Sequence, residues 1–342
     1  MDAMVLSEFG GPEVLRSSIV EVPAIRADQL RVRVAACGVC GHDVLNRAGH
    51  FPATPLPAVL GHEIAGTVDE VGALVTRFKR GDRVALLQRQ PCGRCRNCIE
   101  GRENLCRSGD GFYGEGIVGG YGQWVVASER NAVLLPIEIP FEVGAVLACA
   151  VGTGYHALQR ARVRAGDCVV VTGASGGVGI HAVQVARLMG LYTIAVTSSD
   201  DKREALRAAG ADEVIVTQTN RFHEQVRDAS SGEGATAVVE IAGAPTFNSS
   251  IRSLRAGGRL VLVGNVAPGD VALNPAFSIL KEIEVIGSGH AVIADLLQVT
   301  DLVKRKRLSP IIARTMPLIS AADAHRFVEG RSSVGRIVLT HE

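Results

Sequence analysis

The stretch Cys168–Gly190, CVVVTGASGGVGIHAVQVARLMG, restricts this chain to few folds. Val169-Val170-Val171-Thr172 is β-branched throughout, which suits a strand buried on both faces. Gly173, Gly176, Gly177 and Gly179 follow in a tight turn. Val178, Ala182, Val185 and Met189 then recur at helical spacing until Gly190 stops the pattern. The free N–H groups of such a helix start, and the positive end of its dipole, favour a pyrophosphate. The glycines let the backbone approach the phosphates and let helix and strand lie close.

Downstream, strands and helices keep alternating. The pattern predicts strands at Cys168–Thr172, Tyr192–Thr197, Glu213–Thr217, Ala237–Ile241, Arg259–Gly264 and Ile283–Gly287. Helices are predicted between them at Lys202–Ala209, Phe222–Ala229, Thr246–Leu254 and Pro275–Lys281. This is the beat of an α/β doubly wound parallel sheet. A βαβ turn without a ligand is the plain alternative for the glycines alone.

The first third reads differently. Leu30-Arg31-Val32-Arg33-Val34 alternates apolar and polar residues, as in an antiparallel strand with one wet face. Short β runs at Gly66–Val71, Arg83–Leu87 and Gln123–Val126, divided by glycine turns, predict an irregular barrel. Within it lie Cys37-Gly38-Val39-Cys40-Gly41-His42-Asp43 and Gly61-His62-Glu63. A helix is expected to carry Cys149. Helices near 294–304 and 321–329 and a last strand, Gly335–Thr340, are expected to return to this first domain, leaving a cleft between the two.

Cys92, Cys95, Cys98 and Cys106 follow the spacing C-x2-C-x2-C-x7-C. Four thiolates in one short loop suit a structural, tetrahedral Zn²⁺ closed to substrate. Disulfides and an iron–sulfur cluster are the alternatives. A cytoplasmic chain disfavours the first, and the spacing departs from common ferredoxin patterns. The start, MDAMVLSEFGG, carries no export-signal pattern, so a cytoplasmic location is expected. No uninterrupted apolar segment long enough for a bilayer is apparent. A net charge of +1 over 342 residues gives no electrostatic case for nucleic acid or an anionic membrane as partner.

With these motifs in this order, the chain resembles the zinc-containing medium-chain alcohol dehydrogenases over essentially its full length. The resemblance implies a GroES-like catalytic domain at 1–145, a Rossmann dinucleotide-binding domain at 146–288, and a return to the catalytic domain at 289–342. It implies that Cys40, His62 and Cys149 hold a catalytic zinc, with Glu63 a transient ligand and Asp43 orienting the histidine. Two thiolates and one imidazole leave a fourth position open, where a metal acidifies an alcohol or polarises a carbonyl. His42 stands where the family has a serine or threonine that starts a proton relay. The family's second relay histidine is replaced by Leu45. Cys37 is expected to be a packed bystander, and His290 has no assigned role.

An acidic residue at the end of the second parallel strand ordinarily binds the adenosine ribose. Here the resemblance places Thr197 there, followed by Ser198, Ser199, Lys202 and Arg203, which can accept a 2′-phosphate and favour NADP(H) over NAD(H). Asp200 and Asp201 are the counter-argument. The expected cofactor surface comprises Thr153, Gly173, Ser175, Gly176, Gly177, Val178, Gly179, Thr197, Ser198, Ser199, Lys202, Val263 and Gly264. The expected activity is a zinc-dependent alcohol dehydrogenase or carbonyl reductase acting on a small molecule, as a homodimer or homotetramer with two zincs per chain. The rivals are a zinc-independent enoyl (acryloyl-CoA-like) or quinone reductase, whose glycine turn this one resembles, and a non-catalytic zinc- and nucleotide-binding protein.

Overall fold

The computed structural model describes residues 1–341. Contacts divide the chain into two compact units, 1–152 with 290–342 and 153–289. The first boundary falls after Cys149 rather than at 145, so all the expected zinc ligands belong to one unit.

In the first unit a mixed sheet runs in the order Ala132–Leu134, Arg83–Leu86, Glu63–Val71, Gln29–Val39, Arg336–Thr340, Ile312–Pro317, with Trp124–Ser128 also paired to Gln29–Val39. Leu30, Val32 and Val34 are buried between the more accessible Arg31 and Arg33, as the alternation requires. From Ala36 onward the strand has almost no accessible face: the C-terminal strand covers its edge, Ile337 opposite Val39, and the helix Phe141–Val146 packs against it. Leu30, Val32, Ile64, Val84, Leu86, Val125 and Leu339 form the centre of this unit's core.

The second unit is a six-stranded, all-parallel sheet in the order Glu213–Val216, Tyr192–Thr197, Cys168–Val171, Ala235–Glu240, Leu254–Leu262, Glu284–Gly287. Strand order reverses between Cys168–Val171 and Ala235–Glu240, with Val171 opposite Val239. Crevices at such reversals, beyond the carboxyl ends of the strands, are where open α/β sheets bind ligands. Each predicted strand is present. The largest departure is at Leu254, expected to end a helix. That helix instead stops at Arg252, and Leu254 opens a strand whose pairing jumps between Ala235 and Ala237. The Gly257-Gly258 pair lies within that irregularity, and Gly257 has φ +70°.

The helical run Phe141–Ala161 is interrupted by Glu142 and His156, yet by length and composition it is apolar enough to cross a membrane, with a mean hydropathy of 1.3 over 18 residues. Burial accounts for the apolarity: 72% of its most apolar window lies inside the protein. Within this run the helix expected to carry Cys149 is a π-helix at Leu147–Val151, a wider turn than an α-helix.

Candidate metal centres and dinucleotide turn

The strand Gln29–Val39 ends one residue before Cys40, which caps the helix Gly41–Arg47. Across the ladder Gly38 faces Glu63, the residue after His62, so Cys40 and His62 leave the sheet together. A Cβ at position 38 would lie 2.2 Å from Glu63 Oε2; only glycine leaves room for that carboxylate. The π-helix brings Cys149 to the same place. One ligand atom each from Cys40, His62, Glu63 and Cys149 lies within 4.8 Å of the others, and the Cys40 and Cys149 sulfurs are 4.0 Å apart. Thiolates on a tetrahedral zinc stand about 3.8 Å apart, from a Zn–S distance of about 2.3 Å. The donor set therefore fits a zinc ion.

Asp43 organises this cluster. Its Oδ1 accepts from His62 Nδ1 at 3.0 Å and from the Gly61 N–H at 3.3 Å; its Oδ2 accepts the Cys40 N–H at 3.0 Å. One carboxylate thus caps a helix and fixes the imidazole with Nε2 free for a metal. Burial opposes the imidazolium, but the Asp43 carboxylate and the Cys40 sulfur outweigh it and raise the His62 pKa well above its ordinary value. The Cys149 thiol hydrogen bond, with Arg336 and His62, draws Cys40 well below the usual thiol range, while Cys149 is pushed up as its partner.

Arg336, on the last strand, is buried with its Nη2 2.9 Å from Glu63 Oε1. The contact is an ion pair whose angle makes no hydrogen bond, and both Glu63 oxygens lack a donor among the described residues. Burial pushes the Glu63 carboxyl up to about 7 against the pull of Arg336. A buried carboxylate with unfilled lone pairs beside two sulfurs suits occasional metal ligation.

His42 does not stand alone. Its Nε2 lies 2.5 Å from Glu115 Oε1, and its ring stacks on Phe51 with centroids 4.6 Å apart. Phe112 lies 5.1 Å from the His42 ring, 5.0 Å from His62 and 5.0 Å from His290. Burial, with nearby His62 and His42, lowers the His290 pKa to about 4, so its imidazole is neutral at neutral pH. Glu115, Phe112 and Arg336 escape sequence reasoning. Arg336 carries one visible signal, a charge at the head of the apolar run Ile337-Val338-Leu339.

The four-cysteine loop closes on itself. Sulfur separations are 3.9 Å for Cys92–Cys98, 3.5 Å for Cys95–Cys98 and 3.9 Å for Cys95–Cys106. These again match the edges of a tetrahedral thiolate site. No disulfide occurs among the described residues. Cys37 is buried and packs near Gly61 and Gly120, outside both clusters.

In the second unit, the helix Gly177–Leu188 starts directly after the glycine turn, so the N–H groups of Gly177, Val178 and Gly179 have no partner within the helix. A Cβ on Gly179 would lie 2.3 Å from the Gly173 carbonyl oxygen. Val263 and Gly264 donate their N–H groups to the Glu240 carbonyl. Thr197 is buried at its strand end, and its hydroxyl, like that of Thr153, has no hydrogen-bond partner among the described residues. Ser198 is exposed, and Ser199 donates to Asp201. Lys202 is buried, and Arg203 is held by Asp200 at 2.8 Å.

The Alcohol dehydrogenase GroES-like domain matches residues 26–137, and the Zinc-binding dehydrogenase family matches 177–305. An acryloyl-coenzyme A reductase of Metallosphaera sedula is 35% identical, covering 94% of this chain and 95% of that protein. An alcohol dehydrogenase of Geobacillus stearothermophilus is 34% identical, covering 99% of each. The crystal structure of AibC superposes with a TM-score of 0.93 at 43% identity, covering 100% of this chain and 96% of that one. The chain belongs to the medium-chain dehydrogenase/reductase superfamily, with its GroES-like and zinc-binding dehydrogenase domains.

Proposed function

We propose that this oxidoreductase is a zinc-dependent alcohol dehydrogenase or carbonyl reductase. The observation that carries the reading is the convergence of Cys40, His62, Glu63 and Cys149 within 4.8 Å. Cys40, His62 and Cys149 would hold a zinc ion that would supply Lewis acidity to an alcohol or carbonyl oxygen, and a bound nicotinamide cofactor would supply the hydride chemistry. The chain's residues set up the rest. Asp43 fixes the imidazole. Cys40 and Cys149 present sulfur donors, and Glu63 offers a spare carboxylate. Phe51 and Phe112 give the surroundings of His42 an apolar wall, and His42 with Glu115 forms a polar pair where the family's relay begins.

NADP(H) is the proposed cofactor, supported by a hydroxyl rather than a carboxylate at Thr197. Arg203 must leave Asp200 to meet a 2′-phosphate, so the preference over NAD(H) is modest. Exposed Ile279, Leu280 and Val285 support assembly as a homo-oligomer. The small-molecule substrate, cytoplasmic location and two zincs per chain belong to the same proposal.

A second reading is favoured by the acryloyl-coenzyme A reductase relatives, at 34 to 35% identity. In it, hydride goes to the β-carbon of an enoyl thioester and a proton to the α-carbon. Turnover of an alcohol and ketone panel and of acryloyl-CoA, with each cofactor, separates the two. The first reading expects two zincs per chain, ketone reduction, and near-complete loss in Cys40→Ala with cofactor binding retained. Full activity in Cys40→Ala removes the metal chemistry; turnover of the thioester alone transfers the assignment to the second reading.

A further inference from the structure

Glu240 is fully buried at the carboxyl end of its strand, beside the strand-order reversal, and no step above uses its side chain. Its Oε1 accepts from the Thr172 hydroxyl at 2.8 Å, the Gly243 N–H at 2.9 Å and the Thr246 hydroxyl at 2.7 Å. Its Oε2 accepts from the Ser250 hydroxyl. The Thr172 oxygen in turn accepts the N–H groups of Ile241 at 2.9 Å and Ala242 at 3.4 Å. An isolated buried carboxylate is costly, and four donors gathered around it are the compensation.

The network has a direction. Thr172 immediately precedes Gly173, the start of the glycine turn, and Ile241-Ala242-Gly243 is the turn leaving the neighbouring parallel strand. Glu240 and Thr172 therefore tie together the two turns that flank the reversal. Ser250 meets the same carboxylate from the interior of the helix Ala244–Arg252, away from both turns.

We infer that Glu240, acting through the Thr172 hydroxyl, is a positioning residue that sets the spacing of the two turns receiving the dinucleotide. The inference rests on the reading that the glycine turn binds a nicotinamide cofactor. The Glu240 carboxylate touches no phosphate in this role. It fixes the backbone of Thr172-Gly173 against that of Ile241–Gly243, so the N–H groups after Gly176 face a crevice of fixed width. Preorganised donors bind without an ordering cost, and loosening them costs affinity.

Fluorescence titration of the zinc-loaded protein with NADH and with NADPH tests this independently of turnover. Thr172→Val, which keeps the shape and removes the hydroxyl, is expected to weaken binding about tenfold or more, the size of one lost buried hydrogen bond. Thr172→Ser restores the hydroxyl and is expected to bind within about twofold of wild type. Glu240→Gln weakens binding as Thr172→Val does. Ser250→Ala lowers the melting temperature but keeps the affinity, and zinc content stays unchanged in all four. Equal affinities in wild type and Thr172→Val overturn the inference alone. Affinity that falls in Ser250→Ala in step with melting temperature reduces Glu240 to a stability role and overturns it too. A wild type that binds neither nucleotide removes the reading of the glycine turn as well.

Discussion

His62 donates from Nδ1 to Asp43 Oδ1 at 3.0 Å, with both side chains buried. The same carboxylate accepts the backbone N–H of Cys40, the cap of the helix Gly41–Arg47, so the orientation of one candidate metal ligand and the backbone of another depend on a single side chain. Asp43→Asn keeps an acceptor for His62 but turns an amide toward the Cys40 N–H. Affinity for the zinc at this site is expected to fall about 10- to 100-fold, as for other partners of metal-bound imidazoles. Chelator competition, with the four-cysteine site as internal control, measures it. Equal retention of both zincs contradicts the role.

Arg336 and Glu63 form a buried ion pair without a hydrogen bond. Arg336→Met strands the carboxylate and is expected to cost about 3–5 kcal/mol in urea unfolding of the zinc-free protein. Adding Glu63→Gln should recover most of that loss, because no charge is then left uncompensated. A double variant as unstable as Arg336→Met would place the cost in packing.

Gly179 and Gly176 look equivalent in the sequence and differ in space. A Cβ at 179 meets the Gly173 carbonyl at 2.3 Å, whereas at 176 the same atom is 3.4 Å away. Gly179→Ala is expected to destabilise the protein by about 1–3 kcal/mol and to abolish nucleotide binding. Gly176→Ala is expected to change stability by less than about 1 kcal/mol. Thermal melts with and without cofactor report both.

His325 is buried in the helix Ala321–Glu329, with its Nε2 2.9 Å from the Tyr121 hydroxyl. Burial lowers its pKa from 6.5 to about 4. The folded state thus holds the neutral ring while the unfolded chain takes up a proton. Stability from this group is level above about pH 6.5, declines as pH falls toward about 4, and levels off below. The decline is at most about 1.4 kcal/mol per pH unit. Urea midpoints at pH 7 and pH 5, with zinc saturating, should drop less in His325→Gln than in wild type. An identical drop in both would assign the acid sensitivity to other groups.

The geometry of the glycine turn and of the four-cysteine loop is legible in the sequence because it is local: one short segment gathers the backbone N–H groups of the turn, and another gathers the four sulfurs. Cys40 and His62 were legible through neighbouring residues. Cys149 was not, since it is 109 positions from its partner sulfur in an apolar stretch, and only family resemblance distinguished it from core packing. Glu115 and Arg336 act through side chains that sheet pairing and loop closure bring in from afar, and no periodicity marks them. The argument for NADP(H) counts Lys202 and Arg203 among the groups that can accept a 2′-phosphate. Lys202 is buried and Arg203 is paired, because packing and local carboxylates claim such groups first.

The widened turn at Leu147–Val151 amounts to one extra residue in an otherwise regular rod. Removing any one of the five would let an ordinary helix form, at the cost of repacking a run whose residues are all buried. Side chains beyond the excision would then swing by about 100° relative to those before it, the angle per residue of an α-helix. A deletion at Leu147 or Ala148 would therefore turn the Cys149 sulfur away from Cys40 and His62 and break up the candidate metal cluster.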